Sequence, residues 1–146
     1  MERTLIIIKP DGVCKRHVGK IIQRFEKEGF KLVGSKMIHL NRQKAEGFYA
    51  VHKGKHFFEP FINFIVSAPS IVMVWEGKDV VARAREIMGN TNSPEAKEGT
   101  LRRLYGTDNR RNLVHGSESK SIAPEEINYF FSPGELYSYE SGDWDR

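Results

Sequence analysis

The sequence lacks the features that define several large classes of protein. Cys14 is the only cysteine among 146 residues, so no disulfide can form within the chain. The most apolar stretch, residues 57–75, is broken by polar and proline residues, whereas a membrane span needs about 20 mostly apolar residues. The first residues do not contain the apolar segment of a signal peptide. We therefore expect a cytoplasmic protein that makes no use of a membrane.

Two glycine-rich phosphate-binding motifs are also missing. Without the pattern Gly-x-x-x-x-Gly-Lys-Ser/Thr nothing supports a P-loop, and without Gly-x-Gly-x-x-Gly a Rossmann dinucleotide site is disfavoured. Internal repeats, low-complexity tracts and flexible linkers are absent as well. We expect residues 1–146 to form one domain, which ends in a C-terminal tail of about residues 132–146.

Positive and negative charges are nearly balanced. Lys and Arg number 23 against 19 Asp and Glu, which gives a formal net charge of +4. This mildly basic balance suits phosphate-bearing partners but does not distinguish nucleotides from nucleic acid. It is too weak to indicate a histone-like protein.

The hydrophobic pattern alternates between strands and helices. Strands are predicted for residues 4–9, 32–40, 70–75 and 112–115. Residues 10–12 (PDG) have turn chemistry. Helices are predicted for residues 18–28, 42–53, 58–65, 79–88 and 124–131. This order favours an α/β or α+β fold, and propensity alone does not decide whether the strands run parallel.

The chemistry is concentrated near a long polar segment. Residues 90–111 form a 22-residue loop in which a turn of helix is predicted around residues 100–105, and a loop of that length is either functional or wrongly assigned. It leads into residues 112–118 (NLVHGSE), where His115 stands beside a glycine, a hydroxyl, an amide and a carboxylate. The alternative is a solvated basic loop.

The other four histidines lack such a context. His52 and His56 are four residues apart, but no further metal ligand accompanies them, and Gly54 breaks the helix that would align them. We interpret both as surface residues.

Phosphates would have to be held by side chains and a metal. Arg85, Arg102 and Lys9 are candidates, since guanidinium groups bind phosphate in a bidentate manner. Each could instead be an ordinary surface cation. Solvation explains Lys9 poorly, because it ends a predicted buried strand.

Residues 112–118 resemble the Asn-x-x-His-Gly/Ala-Ser-Asp motif of nucleoside diphosphate kinases. Further segments similar to that family follow its order: residues 9–12 (KPDG), 57–58 (FF), 75–77 (WEG), 89–92 (GNTN) and 99–102 (GTLR). The resemblance covers about residues 3–131. It implies an α+β, ferredoxin-like fold with a four-stranded antiparallel sheet and helices packed on it. It also implies ping-pong transfer of the γ-phosphate of a nucleoside triphosphate, typically ATP, to a nucleoside diphosphate, with broad base and sugar tolerance.

The resemblance implies a catalytic group around one histidine. His115 matches the nucleophile that becomes phosphohistidine, Glu126 the carboxylate that orients it, and Ser117 the hydroxyl beside that carboxylate. Lys9 and Tyr49 match further residues of the catalytic group. A neutral imidazole suits this chemistry near pH 7, because one ring nitrogen attacks while a carboxylate orients the other.

The resemblance also implies how a nucleotide is held. Arg85, Thr91 and Arg102 match phosphate-binding side chains, while Lys9 and Asn112 match residues that bond the ribose and nearby phosphate. The implied cofactor is Mg²⁺, held mainly by phosphates and water rather than by the protein.

Phe57 matches the aromatic residue that stacks on the base, and stacking accepts every base. The alternative for Phe57 and Phe58 is core packing, which Phe58 fits better.

Two positions depart from the family pattern. Glu118 stands where Asp is usual, and Lys55 stands where many members have Arg, which loses the bidentate fork. The alternatives to the kinase are a nucleic-acid-binding or regulatory module and a relative with weakened activity, and no nucleic-acid motif supports the first.

The C-terminal tail bears on assembly. Trp144 lies late in that tail, which resembles the tails of hexameric family members. We therefore expect a homo-oligomer, a hexamer with a tetramer as the alternative, in which the long loop before His115 lies at a subunit interface.

Overall fold

The computed structural model describes residues 1–146, which form one four-stranded antiparallel sheet with seven helices packed on it. The strands are β1 (Arg3–Ile8), β2 (Lys31–Ile38), β3 (Ser70–Glu76) and β4 (Val114–Gly116). The helices are α1 (Pro10–Cys14), α2 (Val18–Lys27), α3 (Arg42–Phe48), α4 (Phe58–Ile65), α5 (Val80–Met88), α6 (Leu101–Tyr105) and α7 (Ala123–Phe130). None of these helices has the length and hydrophobicity that a bilayer crossing requires.

The strand order β2-β3-β1-β4 confirms the ferredoxin-like α+β fold. β1 is central and pairs antiparallel with β3 from Arg3↔Glu76 to Ile8↔Ile71. On its other side it pairs with β4, where Ile7 lies opposite His115. The nucleophile candidate therefore sits on a short edge strand beside the most buried strand of the sheet.

Both faces of the sheet are covered, which explains why β1 reads as an unbroken apolar run. Leu5 and Ile7 face one core, formed with α3, α4 and α7. Ile6 and Ile8 face the other core, formed with α2, α5 and α6. Alternate residues of a strand point to opposite faces, so every side chain of the run is buried.

Most predicted elements are confirmed, with three corrections. Residues 10–12 do not form an isolated turn but begin α1, with Pro10 at its first position, where a missing N–H costs nothing. The fourth strand begins at Val114 rather than residue 112. The helix expected to run toward Gly54 ends at Phe48, and a 3₁₀ turn follows over Ala50–His52.

The polar segment 90–111 is not structureless. It holds a 3₁₀ turn at Ser93–Glu95 and the helix α6, whose N-cap Thr100 accepts a hydrogen bond from the Arg103 amide. The solvated-loop alternative is wrong for Arg102, which is 6% exposed. Gly89 ends α5 at φ +90°, a conformation that favours glycine, and turns the chain into this segment.

The C-terminal tail covers part of the free edge of β2. The Tyr137 amide donates to the Val33 carbonyl over 2.9 Å, and the Tyr139 hydroxyl donates to the Leu32 carbonyl. Trp144 at the end of the tail is 84% exposed.

Candidate active site

One open cleft of about 1130 Å³ lies over the edge of the sheet that carries β4. Its walls come from β4, from the helices α3, α4, α5, α6 and α7, and from the segments that follow β1 and α3 and precede β4. Nine of the ten predicted site residues line it: Lys9, Tyr49, Phe57, Arg85, Thr91, Arg102, Asn112, His115 and Glu126. The tenth, Ser117, is fully buried behind Glu126.

A chain of hydrogen bonds connects His115 to the backbone of the central strand. His115 Nε2 lies 3.0 Å from Glu126 Oε1, and the Ser117 hydroxyl donates to the same oxygen over 2.9 Å. The Ser117 hydroxyl in turn accepts the Leu5 amide proton over 3.1 Å. Because the first turn of α7 carries Glu126, the helix and the sheet together fix the imidazole.

The ionisation of Glu126 determines which nitrogen of His115 is free. Burial alone would raise the pKa of Glu126, but hydrogen bonds from His115 and Ser117 and the charges of His115 and Arg85 outweigh burial and lower this pKa. An ionised carboxylate can only accept hydrogen bonds, so Nε2 carries the proton. In a neutral ring, Nδ1 then keeps its lone pair, and this atom makes no hydrogen bond within the protein.

Aromatic rings hold the other sides of the imidazole. The Phe48 ring meets His115 edge-on with centroids 5.3 Å apart, and the Tyr49 ring does so at 6.2 Å. The Tyr49 hydroxyl is buried without a hydrogen-bond partner. Burial, reinforced by the charge of Glu126, raises the pKa of Tyr49, so this hydroxyl keeps its proton at neutral pH.

Lys9 and Asn112 form a second polar group in the cleft. Lys9 Nζ donates to Asn112 Oδ1 over 2.6 Å, and Asn112 Nδ2 donates to the Thr91 carbonyl over 2.8 Å. Lys9 is 5% exposed, which rejects the surface-cation alternative for it. Burial and the nearby charge of Arg102 lower the pKa of Lys9 to about 7.

Two arginines line the cleft, and some of their N–H groups donate to backbone carbonyls of the protein. Arg102 donates to the carbonyls of Asn112 (3.2 Å), Gly89 (2.8 Å) and Val114 (2.8 Å). A guanidinium has five N–H groups, so two of them stay available to a ligand. Burial and the neighbouring Arg85 lower the pKa of Arg102 to about 10, and it remains charged at neutral pH. Arg85 is half-buried and donates to the Gly116 carbonyl over 3.3 Å.

Phe57 lies at the mouth of the cleft and is only half-buried, whereas Phe58 is 5% exposed in the core. The rings of His52 and His56 contact Phe57 with centroids 5.5 and 5.6 Å away. The interpretation as surface residues is confirmed for His56, which is exposed, while His52 is half-buried; both line the cleft. Both histidines belong to the segment after α3, whose side-chain directions cannot be predicted because its sequence has no helical or strand periodicity.

The two departures from the family pattern also lie near this mouth. Glu118 is exposed on the cleft wall and makes no hydrogen bond within the chain. Lys55 is exposed, with Nζ 3.3 Å from His52 Nδ1 and 5.7 Å from the centre of the Phe57 ring. Neither side chain makes a hydrogen bond to His115.

The chain offers no dedicated metal cage. No group of three or more His, Cys, Asp and Glu side chains is arranged to hold a metal ion. The cleft instead presents cationic groups, which fit a metal that enters already bound to phosphate oxygens.

Sequence reasoning missed two residues that shape the site. Phe48 packs on the His115 ring, and the pattern alone gave it to the core. Asp11 accepts a hydrogen bond from the Leu113 amide over 3.0 Å, two residues before His115. Its only signal in the sequence is membership of the residue 9–12 motif, for which turn chemistry alone is a sufficient explanation.

Comparison with known proteins agrees with the geometry. A family model described as nucleoside diphosphate kinase matches residues 2–136. The nucleoside diphosphate kinase of Carboxydothermus hydrogenoformans is 56% identical over 140 residues, which are 96% of this chain and 94% of that protein. The enzyme of Chlamydia abortus is 54% identical over 136 residues, or 93% of this chain and 96% of that protein.

Solved structures give the same result. The halophilic nucleoside diphosphate kinase from Halobacterium salinarum in complex with CDP superposes with a TM-score of 0.94 at 39% identity, over 98% of this chain and 96% of that chain. The Aquifex aeolicus nucleoside diphosphate kinase gives 0.90 at 40% identity, over 93% and 99%. Similarity in sequence and similarity in fold therefore both extend over nearly the whole chain.

Proposed function

The chain belongs to the nucleoside diphosphate kinase family, and on that basis we propose which of its residues carry the reaction. The enzyme transfers the γ-phosphate of a nucleoside triphosphate to a nucleoside diphosphate. The observation that carries the residue assignment is the hydrogen-bonded chain from Leu5 through Ser117 and Glu126 to His115, which leaves Nδ1 without a protein partner in a cationic cleft.

The proposed reaction runs in two symmetric halves. The lone pair of His115 Nδ1 attacks the γ-phosphorus, and the bond from that phosphorus to the β–γ bridging oxygen breaks. The nucleoside diphosphate leaves with the bond's electron pair, while Nε2 keeps its proton. A second nucleoside diphosphate then takes the phosphoryl group through its terminal oxygen, which restores the free imidazole.

Glu126 and Ser117 would act on the ring rather than on the substrate. Phosphorylation of Nδ1 builds positive charge on the imidazole, and the carboxylate 3.0 Å from Nε2 stabilises that charge. Ser117 directs the carboxylate through its 2.9 Å hydrogen bond. Both groups are in place before the nucleotide arrives, so little reorganisation accompanies the reaction.

The transferred group is anionic, and the proposed phosphate ligands are cationic. Arg102 offers its two remaining N–H groups, Arg85 lies beside Gly116, and Lys9 supplies an ammonium group. Thr91 would add a hydroxyl. As a kinase, the enzyme requires a divalent cation, and we propose Mg²⁺, which when bound to the phosphates neutralises part of their charge.

Phe57 is proposed as the platform for the base, with Lys9 and Asn112 binding the ribose and the adjacent phosphate. The ring is half-exposed at the mouth of the cleft, where a base can stack on it. Stacking does not read base edges, so this arrangement predicts broad nucleotide tolerance. No feature of the cleft favours the nucleic-acid-binding alternative.

Assembly is the remaining part of the proposal. We propose one domain over residues 1–146 that forms a hexamer, because the tail carries the exposed Trp144 and resembles hexameric relatives. Six chains of 16.8 kDa give about 101 kDa and four give about 67 kDa, which sedimentation velocity separates. A cytoplasmic location belongs to the same proposal, because the enzyme's substrates are soluble nucleotides.

Labelling with γ-labelled ATP and Mg²⁺ tests the proposed nucleophile. We expect acid-labile, base-stable label on the wild-type chain, its transfer to added GDP, and no label on the His115→Ala variant. His56→Ala is the matched control, since His56 also lines the cleft but should label normally. Label that survives His115→Ala would assign the nucleophile elsewhere.

A further inference from the structure

The backbone immediately before the nucleophile adopts a conformation that L-residues avoid. Leu113 has φ +81°, and the Val114 amide donates to the Asn112 carbonyl over 2.9 Å. A hydrogen bond between residues two apart, around a central residue of positive φ, is a γ-turn of the rare, strained kind. The turn joins Asn112 to the strand that carries His115, so its geometry sets how these two side chains face each other.

Three contacts hold Leu113 in this turn. Its carbonyl accepts the Lys9 amide proton over 2.8 Å, and its own amide donates to Asp11 Oδ2 over 3.0 Å. Its side chain is fully buried in the same core as Ile8. Strained backbone persists only where its surroundings over-determine it, and here the surroundings come from the segment that follows β1.

Asp11 suits the first turn of α1, but its burial is unusual for a carboxylate. It lies 102 residues from Leu113 in sequence, is only 9% exposed, and its second carboxyl oxygen, Oδ1, is buried without a hydrogen-bond partner. Burying a carboxyl group with half of its hydrogen-bonding capacity unused is unfavourable for stability. Its one side-chain hydrogen bond is the one to the strained turn.

The helix α1 also packs closely against the γ-turn at Gly12. A Cβ added to Gly12 would lie 2.7 Å from Ile8 Cγ2 and 3.3 Å from Leu113 Cδ1. Glycine at residue 12 therefore lets α1 approach the turn closely enough for Asp11 to reach the Leu113 amide.

We propose that Asp11 is a positioning residue for phosphoryl transfer. Through its hydrogen bond to the Leu113 amide it holds the γ-turn that aims His115 Nδ1 along the line of attack and keeps Asn112 beside Lys9. Asp11 does not touch the nucleotide, and its effect passes through the backbone of residues 112–115. The inference rests on the proposed role of His115.

The short β4 strand makes the position of His115 sensitive to this turn. β4 pairs only with β1 and over three residues, so its start depends on hydrogen bonds from outside the sheet. Arg102 fixes the carbonyls of Asn112 and Val114, whereas Asp11 is the acceptor for the Leu113 amide. A displacement of about 1 Å at a reacting atom can cost on the order of 100-fold in rate. Loss of the Asp11 bond should therefore slow the chemical step while the fold survives.

The test is the single-turnover rate of His115 phosphorylation at saturating ATP and Mg²⁺, measured by rapid quench. We expect Asp11→Ala to be slower by about 10- to 100-fold. Asp11→Asn keeps an acceptor oxygen for the Leu113 amide and should stay within about fivefold of wild type. Gly12→Ala leaves the carboxylate intact but presses on Ile8 and Leu113, which moves α1 away from the turn, and it should be slower by about 10-fold or more.

Ile21→Val provides the control for general destabilisation, because Ile21 is fully buried in the same core but lies on α2. It should lower the melting temperature without slowing phosphorylation. A wild-type rate in Asp11→Ala or in Gly12→Ala, or an Asp11→Asn variant as slow as Asp11→Ala, would overturn the inference. If Asp11→Ala does not fold, the phosphorylation rates of Gly12→Ala and Asp11→Asn still test the proposed role of Asp11. Failure of the wild-type chain to label at His115 would instead reject the proposed function.

Discussion

Ser117 connects the stability of the sheet to the orientation of His115, the proposed nucleophile, and replacing Ser117 with alanine tests both. Its hydroxyl is fully buried, accepts the Leu5 amide proton over 3.1 Å and donates to Glu126 over 2.9 Å. Ser117→Ala removes both hydrogen bonds and leaves the Leu5 amide buried without that partner.

The expected loss of stability follows from these two bonds. A buried donor left unpaired costs about 1–3 kcal/mol, and a hydrogen bond to a charged group contributes about 1.5–3 kcal/mol. Because the two effects share one hydroxyl, we expect a combined loss of about 3 kcal/mol. For a chain of this size, that corresponds to a melting temperature lower by about 6–12 °C.

Ser70→Ala is the matched control. Ser70 is also a strand serine, 1% exposed, but its hydroxyl has no hydrogen-bond partner. Removing an unsatisfied buried hydroxyl should leave stability unchanged or raise it. Urea unfolding and calorimetry of both variants at one protein concentration provide the comparison.

Equal stabilities of the two variants would refute the reasoning. So would a Ser117→Ala variant that loses less than about 1 kcal/mol, because the Leu5 amide would then have found another partner. An unchanged kcat in Ser117→Ala would separate the two roles and leave Ser117 with a purely structural one.

Three further predictions concern the chemistry. Glu126→Gln loses the charge proposed to stabilise the phosphorylated ring, so kcat should fall by about 100-fold, and an unchanged kcat in steady-state assays would reject the proposed orienting role. Burial and Arg102 lower the pKa of Lys9 to about 7, so its charge is present below pH 7 and is lost as pH rises through that value. Titration calorimetry should therefore show the Kd for ADP rising between pH 7 and 9, by up to about tenfold per pH unit, and a nearly flat profile in Lys9→Met. Phe57→Ala should weaken ADP, GDP, CDP and UDP binding alike, by about 1–3 kcal/mol, whereas a base-dependent loss would contradict stacking.

The sequence predicts best those elements whose cause is local. The apolar run of β1, the strand β3 and the helix from Asp79 to Gly89 each carry their periodicity and boundary residues in adjacent positions. Whether two strands pair parallel or antiparallel cannot be predicted in this way. It depends on contacts between residues far apart in sequence, such as Ile7 with His115. The antiparallel sheet could be predicted only from the resemblance to nucleoside diphosphate kinases.

The same division applies to the site. His115 could be predicted as a site residue because residues 112–118 bring an amide, an imidazole, a hydroxyl and a carboxylate together within seven positions. Asp11 went unnoticed because the residue 9–12 motif is explained locally by turn or helix-start chemistry, while its partner Leu113 lies 102 residues away. That His52 and His56 line the cleft could not be predicted for a related reason, since the segment after α3 has no periodicity from which to infer which way a side chain faces.

The strand that carries His115 has the fewest paired residues of the four strands in the sheet. β4 lies at the edge and has one neighbour, whereas β1 and β3 are each paired on both sides. Segments with few backbone partners open locally at lower free energy than the centre of a fold. Native-state hydrogen exchange should therefore find the amides of β4 exchanging before those of β3. Mild denaturant would then switch the enzyme off while most of its sheet is still intact.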